Sequence, residues 1–430
     1  MYNFRYTMTG ERVKPEAMIP ETASRKEIES RVDELLTRGV VEVADKEHLR
    51  ARLLEEGTVL RVKLGIDPTG SRLHVGRGST LLKLKEFQDL GHQIVIIIGD
   101  GTAQVGDSSD KTGARKGLTP KQIADNIKDY MQQFARILDV SKLELVHNAD
   151  WLENISLDTL LRLASCQTMQ EAVGRKNFSD RISRGDSVSF AEAFYPLLQA
   201  YDSVMINADV ELGGTDQTYN LTKGRDVQEA YGMPPQDYMT TQLLIGPDGE
   251  KMSTSIGNCI WIDDTPEIKY VQLMKIADSL IPTYLECATR LPMDFVGRSI
   301  QELHDGTADI VALKKVLAHE VVRLYDGNEA ADNAATYFQS TVQRMETPES
   351  VLRSKLEPGD ISIKALVSLL VEKNLARSKA DVRRLIEQHG FYVDGIPIDP
   401  KTAHIKLAEN GSFVIRLGKR SLNMLAIEAE

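Results

Sequence analysis

Residues 59–98 constrain the fold of this chain more than any other segment. An apolar stretch at residues 59–66 runs into the turn sequence Asp67-Pro68-Thr69-Gly70, and a helical pattern extends from about residue 78 to residue 90. Residues 94–98 are uniformly apolar without alternation, which is typical of a parallel strand buried on both faces. Strand, turn, helix and strand make a βαβ unit, so we expect a doubly wound sheet with ligands at the carboxyl ends of its strands.

The rest of the chain is organised around this unit. Residues 24–56 are predicted to be helical, with Gly57 as the stop, and a largely helical stretch from residue 120 to about 201 interrupts the sheet. The sheet is expected to resume at residues 210–213, with a strand near residues 241–245. The predicted fold class is α/β: a Rossmann-like doubly wound parallel sheet with a helical insertion, then an α-helical domain and a small C-terminal α+β domain.

Size and composition fit an enzyme of several domains. At 430 residues the chain is long for one core, so two or three domains are expected. Cys166, Cys259 and Cys287 have no metal-ligand spacing and are too few for a disulfide framework, which favours a reducing compartment. No apolar run reaches membrane-spanning length, and residues 1–20 lack the apolar core of a signal peptide. We therefore expect a cytoplasmic protein with no membrane partner.

The charge is unevenly distributed along the chain. The whole sequence carries a net charge of −11, but residues 361–430 contain 11 lysines and arginines against 8 aspartates and glutamates, a net of +3. The first 360 residues therefore carry −14. An acidic body with a mildly basic tail suggests that any contact with RNA is localised in the tail.

Two polar segments are the candidates for nucleotide chemistry. The first runs from Gly65 through His74-Val75-Gly76-Arg77, and the second, about 180 residues later, is Lys251-Met252-Ser253-Thr254-Ser255. A lysine, serine and threonine loop can wrap the phosphates of a nucleotide, and an imidazole beside a glycine can lie close to them. Each segment alone is typical of an ordinary turn or loop. Together they resemble the paired HIGH and KMSKS signatures of class I aminoacyl-tRNA synthetases, and the Gly-x-Asp-Pro-Thr prefix narrows the resemblance to the tyrosyl-tRNA synthetases of bacterial type.

The resemblance implies a reaction and a set of site residues. Amino-acid activation is attack by a carboxylate on the α-phosphorus of ATP, so the protein must position the reactants and stabilise phosphate charge rather than supply a base. The implied catalytic residues are His74, Arg77, Lys251, Thr254, Lys111 and Arg115. The implied ATP-binding residues are Gly65, Asp67, Thr69, His74, Gly76, Gly214, Asp216, Lys251, Ser253 and Ser255.

A second set is implied for the amino acid. Tyr195, Gln199 and Asp202 lie four and three residues apart, on one face of a helix. In the family, the first two bind the substrate ammonium and the third binds its phenol hydroxyl, which rejects phenylalanine because the carboxylate would be left unpaired. The implied tyrosine-binding residues are Lys63, Asp107, Tyr195, Gln199, Asp202 and Gln217.

Four positions depart from the family pattern. Arg77 stands where the first signature has its second histidine, and Thr254 stands where the loop has its second lysine. Lys63 occupies a position that is a tyrosine in many bacterial enzymes of this family, and Glu211 replaces a glutamine. Arg77 and Lys63 remain hydrogen-bond donors, whereas Thr254 loses a charge that Lys111 and Arg115 would partly offset.

The tail resembles the small RNA-binding domain shared by a small-subunit ribosomal protein, pseudouridine synthases and bacterial tyrosyl-tRNA synthetases. The implied tRNA contacts are Arg377, Lys379, Arg383, Arg384 and Lys419. The predicted divisions are an N-terminal helical segment at 1–58, a catalytic domain at 59–263 with a helical dimerisation insertion at about 118–200, an anticodon-side helical domain at 264–345, a linker at 346–360 and the RNA-binding domain at 361–430.

The expected activity is tyrosine–tRNA ligation, with ATP as substrate, Mg²⁺ accompanying its phosphates, tRNA(Tyr) and L-tyrosine as partners, and a homodimer as the assembly. No metal site of the protein's own is predicted. Two alternatives remain open from the residues: a tryptophanyl-tRNA synthetase, which Asp202 and the basic tail disfavour, and a catalytically weakened paralogue that binds RNA, which Arg77 and Thr254 favour.

Overall fold

The computed structural model describes residues 24–68, 70–106, 119–252, 257–343, 351–418 and 423–430. The chain separates into two compact units, one formed by residues 1–264 and 275–317 and the other by residues 265–274 and 318–430. Within the described ranges, no helix is both long enough and apolar enough to cross a membrane.

The first unit is built on a six-stranded sheet. Its strands and helices, up to the end of the sheet, are α1 (Arg25–Leu35), β1 (Val40–Val43), α2 (Lys46–Leu54), β2 (Arg61–Ile66), α3 (Val75–Asp89), β3 (Gln93–Ile98), α4 (Pro120–Phe134), β4 (Glu144–His147), α5 (Ala149–Leu152), α6 (Leu157–Ala164), α7 (Met169–Gly174), α8 (Lys176–Ser183), α9 (Phe190–Met205), β5 (Val210–Gly214), α10 (Thr218–Ala230) and β6 (Asp237–Thr241). The sheet order is β1-β6-β5-β2-β3-β4. All neighbours pair in parallel except β1, which pairs antiparallel with β6.

The central strands are buried on both faces, as their uniform apolar sequence predicts. Every residue from Ile94 to Ile98 of β3 is 0% exposed, and Val62 and Val210 of the neighbouring strands are equally buried. The starts of two helices of this unit are capped: the Ser24 hydroxyl and the Glu27 carboxylate form a capping box at α1, and Ser189 and Glu192 do the same at α9. The predicted doubly wound α/β fold is confirmed, with one antiparallel edge strand added.

Three local predictions differ from the structure. Strand β1 interrupts the helical pattern expected over residues 24–56, and β4 lies inside the stretch expected to be helical. Both strands are only four residues long and are stabilised by pairing with β6 and β3, which a local pattern does not reveal. The strand expected near residues 241–245 ends at Thr241, at the carboxyl end of β6.

The remaining helices precede a small α+β region. They are α11 (Pro266–Leu273), α12 (Ile281–Cys287), α13 (Met293–His304), α14 (Ile310–Asp326) and α15 (Asn328–Tyr337), followed by a π-helical turn at Phe338–Gln343. The α+β region contains β7 (Leu352–Leu356), β8 (Gly359–Ser362), α16 (Ile363–Glu372), α17 (Lys379–Glu387), β9 (Phe391–Val393), β10 (Ile396–Pro397), β11 (His404–Leu407), β12 (Ser412–Leu417) and β13 (Met424–Ala429).

This α+β region has its own core and begins earlier than predicted. Its five-stranded sheet has the order β10-β9-β12-β13-β7, and Leu366, Leu370 and Phe391 are 0% exposed in one apolar cluster with its strands. Strand β7 pairs in parallel with β13, so residues 352–356 belong to the sheet although the range 346–360 was expected to be a linker. Strand β7 was not predicted because its partner, β13, lies far away in the sequence.

Candidate active site

The candidate site lies where the strand order of the main sheet reverses. From β2 the chain continues to β3 and β4 on one side, and β5 and β6 lie on the other side. Loops that leave the carboxyl ends of β2 and β5 therefore diverge and open a crevice, the place where doubly wound sheets bind ligands. Gly65 and Asp67 are at the end of β2, and Gly214 and Asp216 are at the end of β5. The structure thus brings together two segments separated by about 150 residues in the sequence.

Asp67 connects the two sides of this crevice. Its Oδ2 accepts a hydrogen bond from the Tyr195 hydroxyl at 3.0 Å, and its Oδ1 accepts one from Thr102 Oγ1 at 3.0 Å. Gly99 is required beside it, because a Cβ atom there would lie 2.1 Å from Asp67 Oδ1. Thr102 was not predicted from the sequence, although it follows β3 at the same edge of the sheet.

Asp202 is the buried carboxylate of the site. Its side chain is 3% exposed, and its two oxygens accept hydrogen bonds from Trp151 Nε1 at 2.9 Å and Asn148 Nδ2 at 3.2 Å. Burial raises the pKa of this carboxyl to about 7, against the opposing effects of the Lys63 charge and of the two hydrogen bonds. Asn148 and Trp151 follow β4 directly, and sequence reasoning missed them because it missed that strand.

Helix α9 presents the three residues whose spacing was noted in the sequence. Tyr195 and Asp202 are buried, and Gln199 lies between them along the helix. The Gln199 carboxamide donates through Nε2 to Glu211 Oε1 at 3.1 Å and accepts through Oε1 from Asn220 Nδ2 at 3.1 Å. The structure therefore gathers Tyr195, Gln199 and Asp202 on one side of the crevice, as their helical spacing predicts.

Lys63 is placed differently from the direct substrate contact that the resemblance implies. It is 0% exposed, and its Nζ lies 2.8 Å from Glu211 Oε1, 2.8 Å from the Gln199 carbonyl and 2.8 Å from Ser203 Oγ. An ammonium has three protons to donate, and here three protein acceptors surround it. Glu211, whose role the sequence left open, is its buried counter-ion at 1% exposure.

The His74 segment begins α3. His74 is the N-cap residue, and its Nδ1 accepts a hydrogen bond from the Arg77 backbone N–H at 3.3 Å. An accepting Nδ1 leaves Nε2 as the protonated, donating nitrogen. Gly76 fits this turn because a Cβ atom would lie 2.9 Å from His74 Nδ1. The Arg77 side chain is exposed in the first turn of the helix.

Residues 73–75 are joined to the segment that follows the Lys251 loop. The Val75 N–H donates to the Ile260 carbonyl at 2.8 Å, and the Ile262 N–H donates to the Leu73 carbonyl at 2.9 Å. The Trp261 ring meets His74 edge-on with 6.2 Å between ring centroids. The segment that follows the loop is therefore held in an extended conformation beside the His74 imidazole.

Lys251 is at the start of that loop. Its Nζ lies 3.0 Å from Asp216 Oδ2, so the lysine expected to bind phosphates and the carboxylate expected to bind ribose are paired. The base of the loop is a tight turn: the Gly246 N–H donates to the Glu250 carbonyl at 2.7 Å, and Gly249 has φ of +87°, a conformation that favours glycine. Asn258 Nδ2 donates to the Lys251 carbonyl at 3.1 Å and thereby joins the two ends of the loop.

Several predicted residues lie outside the described ranges, and their roles stay predictions. These are Thr69, Asp107, Lys111, Arg115, Ser253, Thr254, Ser255 and Lys419. Of the predicted tRNA contacts in the second unit, Arg377, Lys379, Arg383 and Arg384 are all exposed, and Arg384 pairs with Asp381 at 3.1 Å. In the part of the chain that the structure describes, no group of three or more histidine, cysteine, aspartate or glutamate side chains could hold a metal ion.

Comparison with known proteins identifies the family. Residues 55–343 match the family described as tRNA synthetases class I (W and Y). A tyrosine–tRNA ligase of Thermotoga maritima is 40% identical over 387 residues, covering 90% of this chain and 95% of that protein, and one of Symbiobacterium thermophilum is 40% identical over 400 residues, covering 92% and 97%. A C-terminally truncated mitochondrial tyrosyl-tRNA synthetase of Aspergillus nidulans shares the fold, with a TM-score of 0.60 at 23% identity over 74% of this chain and 96% of that one. This chain therefore belongs to the class I tRNA synthetases of the tryptophan and tyrosine group, and within it to the tyrosyl-tRNA synthetases.

Proposed function

We propose that this protein is a tyrosine–tRNA ligase, which activates tyrosine with ATP and transfers the tyrosyl group to the 3′ end of tRNA(Tyr). The observation that carries the proposal is the buried Asp202, held by Asn148 and Trp151 on the helix that also presents Tyr195 and Gln199. A buried carboxylate can accept a hydrogen bond from the hydroxyl of a phenol. An indole N–H can also donate to a carboxylate, as Trp151 does here, so the tyrosyl assignment is favoured over the tryptophanyl one by the relatives, which are tyrosine–tRNA ligases at 40% identity.

The amino-acid side of the site supports recognition at both ends of tyrosine. Asp202 accepts the phenol hydrogen bond. Because the Tyr195 hydroxyl donates to Asp67, its oxygen lone pairs are the part of the group that accepts from the substrate ammonium. Gln199 and Gln217 supply further amide oxygens, and Asp107 is the remaining ammonium contact of the proposal.

The nucleotide side supports close approach of ATP at the switch point. A Cβ atom at Gly65 would meet no atom within 4 Å, so the strand end is open, and at Gly214 it would lie 2.6 Å from Asp216 Oδ1. Asp216 is proposed to bind the ribose hydroxyls, and His74 Nε2 and Lys251 to bind the phosphates. Lys111, Arg115 and the loop hydroxyls of Ser253 and Ser255 complete the phosphate contacts of the proposal.

Mg²⁺ is proposed to arrive with the nucleotide rather than to reside in the protein. It prefers phosphate oxygens and water with one or two carboxylates, and ATP supplies the phosphates. When bound, it neutralises charge on the β- and γ-phosphates. Carboxylates such as Asp67 fit this chemistry, whereas the described residues offer no larger metal-binding cluster.

The first step needs positioning more than acid–base chemistry. The tyrosine carboxylate is already ionised, and one of its oxygens attacks the α-phosphorus while the bond to the bridging oxygen of pyrophosphate breaks. The departing electron pair stays on pyrophosphate, where Lys251 and His74 stabilise the charge. A hydroxyl of the terminal tRNA ribose then attacks the tyrosyl carbonyl, and AMP leaves.

The second unit is proposed to hold tRNA. Arg377 precedes α17, and Lys379, Arg383 and Arg384 lie on it; all four are exposed and suit contacts to backbone phosphates. Replacing all four with glutamine should leave tyrosine-dependent pyrophosphate exchange unchanged, weaken tRNA charging and lower the salt slope of tRNA binding by about three to four. Exposed Lys401 on the same domain is the matched control. An unchanged salt slope in the fourfold variant would show that these four residues do not contact tRNA.

The helical insertion is proposed to form a homodimer interface. Leu157, Leu161, Met169, Ile182 and Phe190, on four successive helices, are between 50% and 70% exposed. Exposed apolar side chains concentrated in one segment mark an interaction surface, and a second copy of the chain is the commonest partner. Leu157→Glu with Leu161→Glu should give a monomer in analytical ultracentrifugation, while Ile396→Glu, equally exposed at 70% in the other unit, should not. A wild-type monomer at micromolar concentration would end this part of the proposal.

The decisive assay is amino-acid-dependent exchange of pyrophosphate into ATP. Tyrosine should support exchange and subsequent tRNA charging, whereas phenylalanine and tryptophan should not. Exchange with tryptophan alone would assign the tryptophanyl activity, and RNA binding without any exchange would identify a paralogue without activating function. A cytoplasmic location, where tRNA is charged, is part of the proposal.

A further inference from the structure

A buried ion pair lies behind the residues proposed to bind the substrate's amino group. Lys63 and Glu211 are 0% and 1% exposed, with 2.8 Å between Nζ and Oε1. Both belong to neighbouring parallel strands, β2 and β5, and are direct partners in the strand register. A buried ion pair is costly to desolvate, and this one contacts the side chains proposed to bind the substrate.

Glu211 fixes the orientation of the Gln199 carboxamide. An ionised carboxylate only accepts hydrogen bonds, and Glu211 Oε1 lies 3.1 Å from Gln199 Nε2. The amide nitrogen of Gln199 must therefore face Glu211, and its oxygen must face the other way. The second Glu211 oxygen accepts from Gln236 Nε2 at 2.6 Å and from Ser203 Oγ at 3.3 Å, which holds the carboxylate in place.

Asn220 donates hydrogen bonds to the Gln199 oxygen and to the Gln217 oxygen. Its Nδ2 donates to Gln199 Oε1 at 3.1 Å and to Gln217 Oε1 at 2.9 Å, so one side chain gathers the oxygens of both glutamines. Asn220 is 1% exposed, and among the residues that the structure describes its Oδ1 has no hydrogen-bond partner. A cluster rich in amide oxygens suits an ammonium group, which has three donors and no acceptor.

Lys63 completes the arrangement as the counter-ion of Glu211: its Nζ lies 2.8 Å from the same Oε1 that accepts from the Gln199 amide. Lys63 also donates to the Gln199 carbonyl at 2.8 Å, which ties the backbone of α9 to β2.

We propose that Glu211, paired with Lys63, and Asn220 are positioning residues for amino-group recognition: they fix the carboxamides of Gln199 and Gln217 with their oxygens toward the substrate ammonium. The inference rests on the proposed tyrosine activation. It assigns these three residues an effect on one end of the substrate, the amino group, and none on the phenol end.

The test compares tyrosine with 3-(4-hydroxyphenyl)propionate, which keeps the phenol and carboxylate but lacks the amino group. In the full-length Glu211→Gln and Asn220→Ala variants, the KM for tyrosine in pyrophosphate exchange should rise about tenfold or more, with a smaller change in kcat. The inhibition constant of the propionate should stay within about twofold of the wild-type value, because it makes no ammonium contact.

Thr289→Ala is the matched control. Thr289 is 0% exposed and its hydroxyl accepts a hydrogen bond from Arg38, so it is a buried polar group with no contact to Lys63, Glu211 or either glutamine carboxamide. Its loss should lower thermal stability without separating tyrosine from the propionate. If Glu211→Gln does not fold, Asn220→Ala tests the same inference.

Equal weakening of tyrosine and the propionate in both variants, or no weakening of tyrosine, would overturn the inference while leaving tyrosine activation intact. Absence of tyrosine-dependent exchange in the wild-type protein would instead remove the proposed function and the inference together. The two failures are thus distinguished by the wild-type assay alone.

Discussion

The two sides of the crevice differ most in how their charges meet solvent. On the proposed amino-acid side, Lys63, Glu211 and Asp202 are 0%, 1% and 3% exposed, and their partners include the buried Asn148 and Ser203. On the nucleotide side, the Lys251 and Asp216 side chains are 42% and 22% exposed and pair with each other. The first arrangement is preorganised, and the second can exchange partners.

We propose that this difference separates selection of the amino acid from catalysis. A buried polar group left without its partner costs far more than an exposed one, so a wrong amino acid is rejected on the buried side. A partly exposed ion pair such as Lys251–Asp216 contributes only about 0–1 kcal/mol, so its loss when ATP binds would cost little free energy. We therefore expect substitutions on the buried side to change which amino acid is used and substitutions on the exposed side to change how fast it reacts.

The largest expected effect is at Asp202. Asp202→Ala should reduce kcat/KM for tyrosine by about a thousandfold or more and bring it close to that for phenylalanine, because the phenol loses its buried acceptor. Pyrophosphate exchange with the two amino acids measures this. Asp237→Ala, at another buried aspartate that bonds to His48 away from the site, controls for general destabilisation. A retained preference for tyrosine in Asp202→Ala would contradict the assignment.

A smaller effect, on rate alone, is expected at Lys251. Lys251→Ala should slow adenylate formation by about a hundred- to a thousandfold, since its phosphate contacts strengthen as charge develops in the transition state. Tyrosine binding, measured by equilibrium dialysis, should change by less than about twofold. Lys142→Ala, at a comparably exposed paired lysine, should change neither. Parallel losses of rate and tyrosine affinity would place Lys251 outside the phosphate site.

A pH dependence of about tenfold is expected from Asp202. Since burial raises its pKa to about 7, the ionised fraction rises from about one-tenth at pH 6 to about nine-tenths at pH 8. The ionised carboxylate is the stronger acceptor for a phenol, so kcat/KM for tyrosine relative to phenylalanine should rise across this range. Fold stability should move oppositely: the contribution of protonated Asp202 is complete below about pH 4 and is lost as the pH rises through 7.

Asp202→Asn tests that assignment because it keeps the shape and removes the titration. Its ratio of tyrosine to phenylalanine activation should be flat between pH 6 and pH 8, and its stability should lose the corresponding slope. A pH-independent ratio in the wild-type protein would show that another group governs the phenol contact.

The smallest effect is expected from Thr254→Lys, which adds a positive charge to the segment proposed to bind the phosphates. Adenylate formation should be faster by roughly two- to fivefold, because one more cation stabilises the phosphate charge. The gain should shrink in high salt, and the selectivity for tyrosine over phenylalanine should not change. A change in selectivity would mean that the two sides are coupled.

The sequence predicted candidate residues for the chemistry but did not predict the residues that contact them in the structure. Tyr195, Gln199 and Asp202 are recognisable because helical spacing places them on one face, and Asp67 and Asp216 because glycine-rich turns precede or surround them. Asn148 and Trp151 were missed with the four-residue strand β4, whose existence depends on pairing with β3 rather than on its own pattern.

Lys63 and Glu211 show a second limit of local reasoning. Each was noted as a separate departure from the family pattern, and 148 positions separate them in the sequence. Only the parallel register of β2 and β5 shows that they are partners, so that each departure compensates the other. The same is true of β7, whose partner β13 lies at the far end of the α+β region.

Because Lys251 pairs with Asp216, the contacts of the lysine depend on what occupies the proposed ribose position. If Asp216 binds the nucleotide ribose, the lysine loses this partner when ATP enters and cannot recover it while the adenylate or AMP remains. Departure of pyrophosphate alone would leave the ribose in place, so we expect Lys251 to regain Asp216 only when AMP leaves. On this proposal the ion pair reports nucleotide occupancy, and its return coincides with the end of tRNA charging.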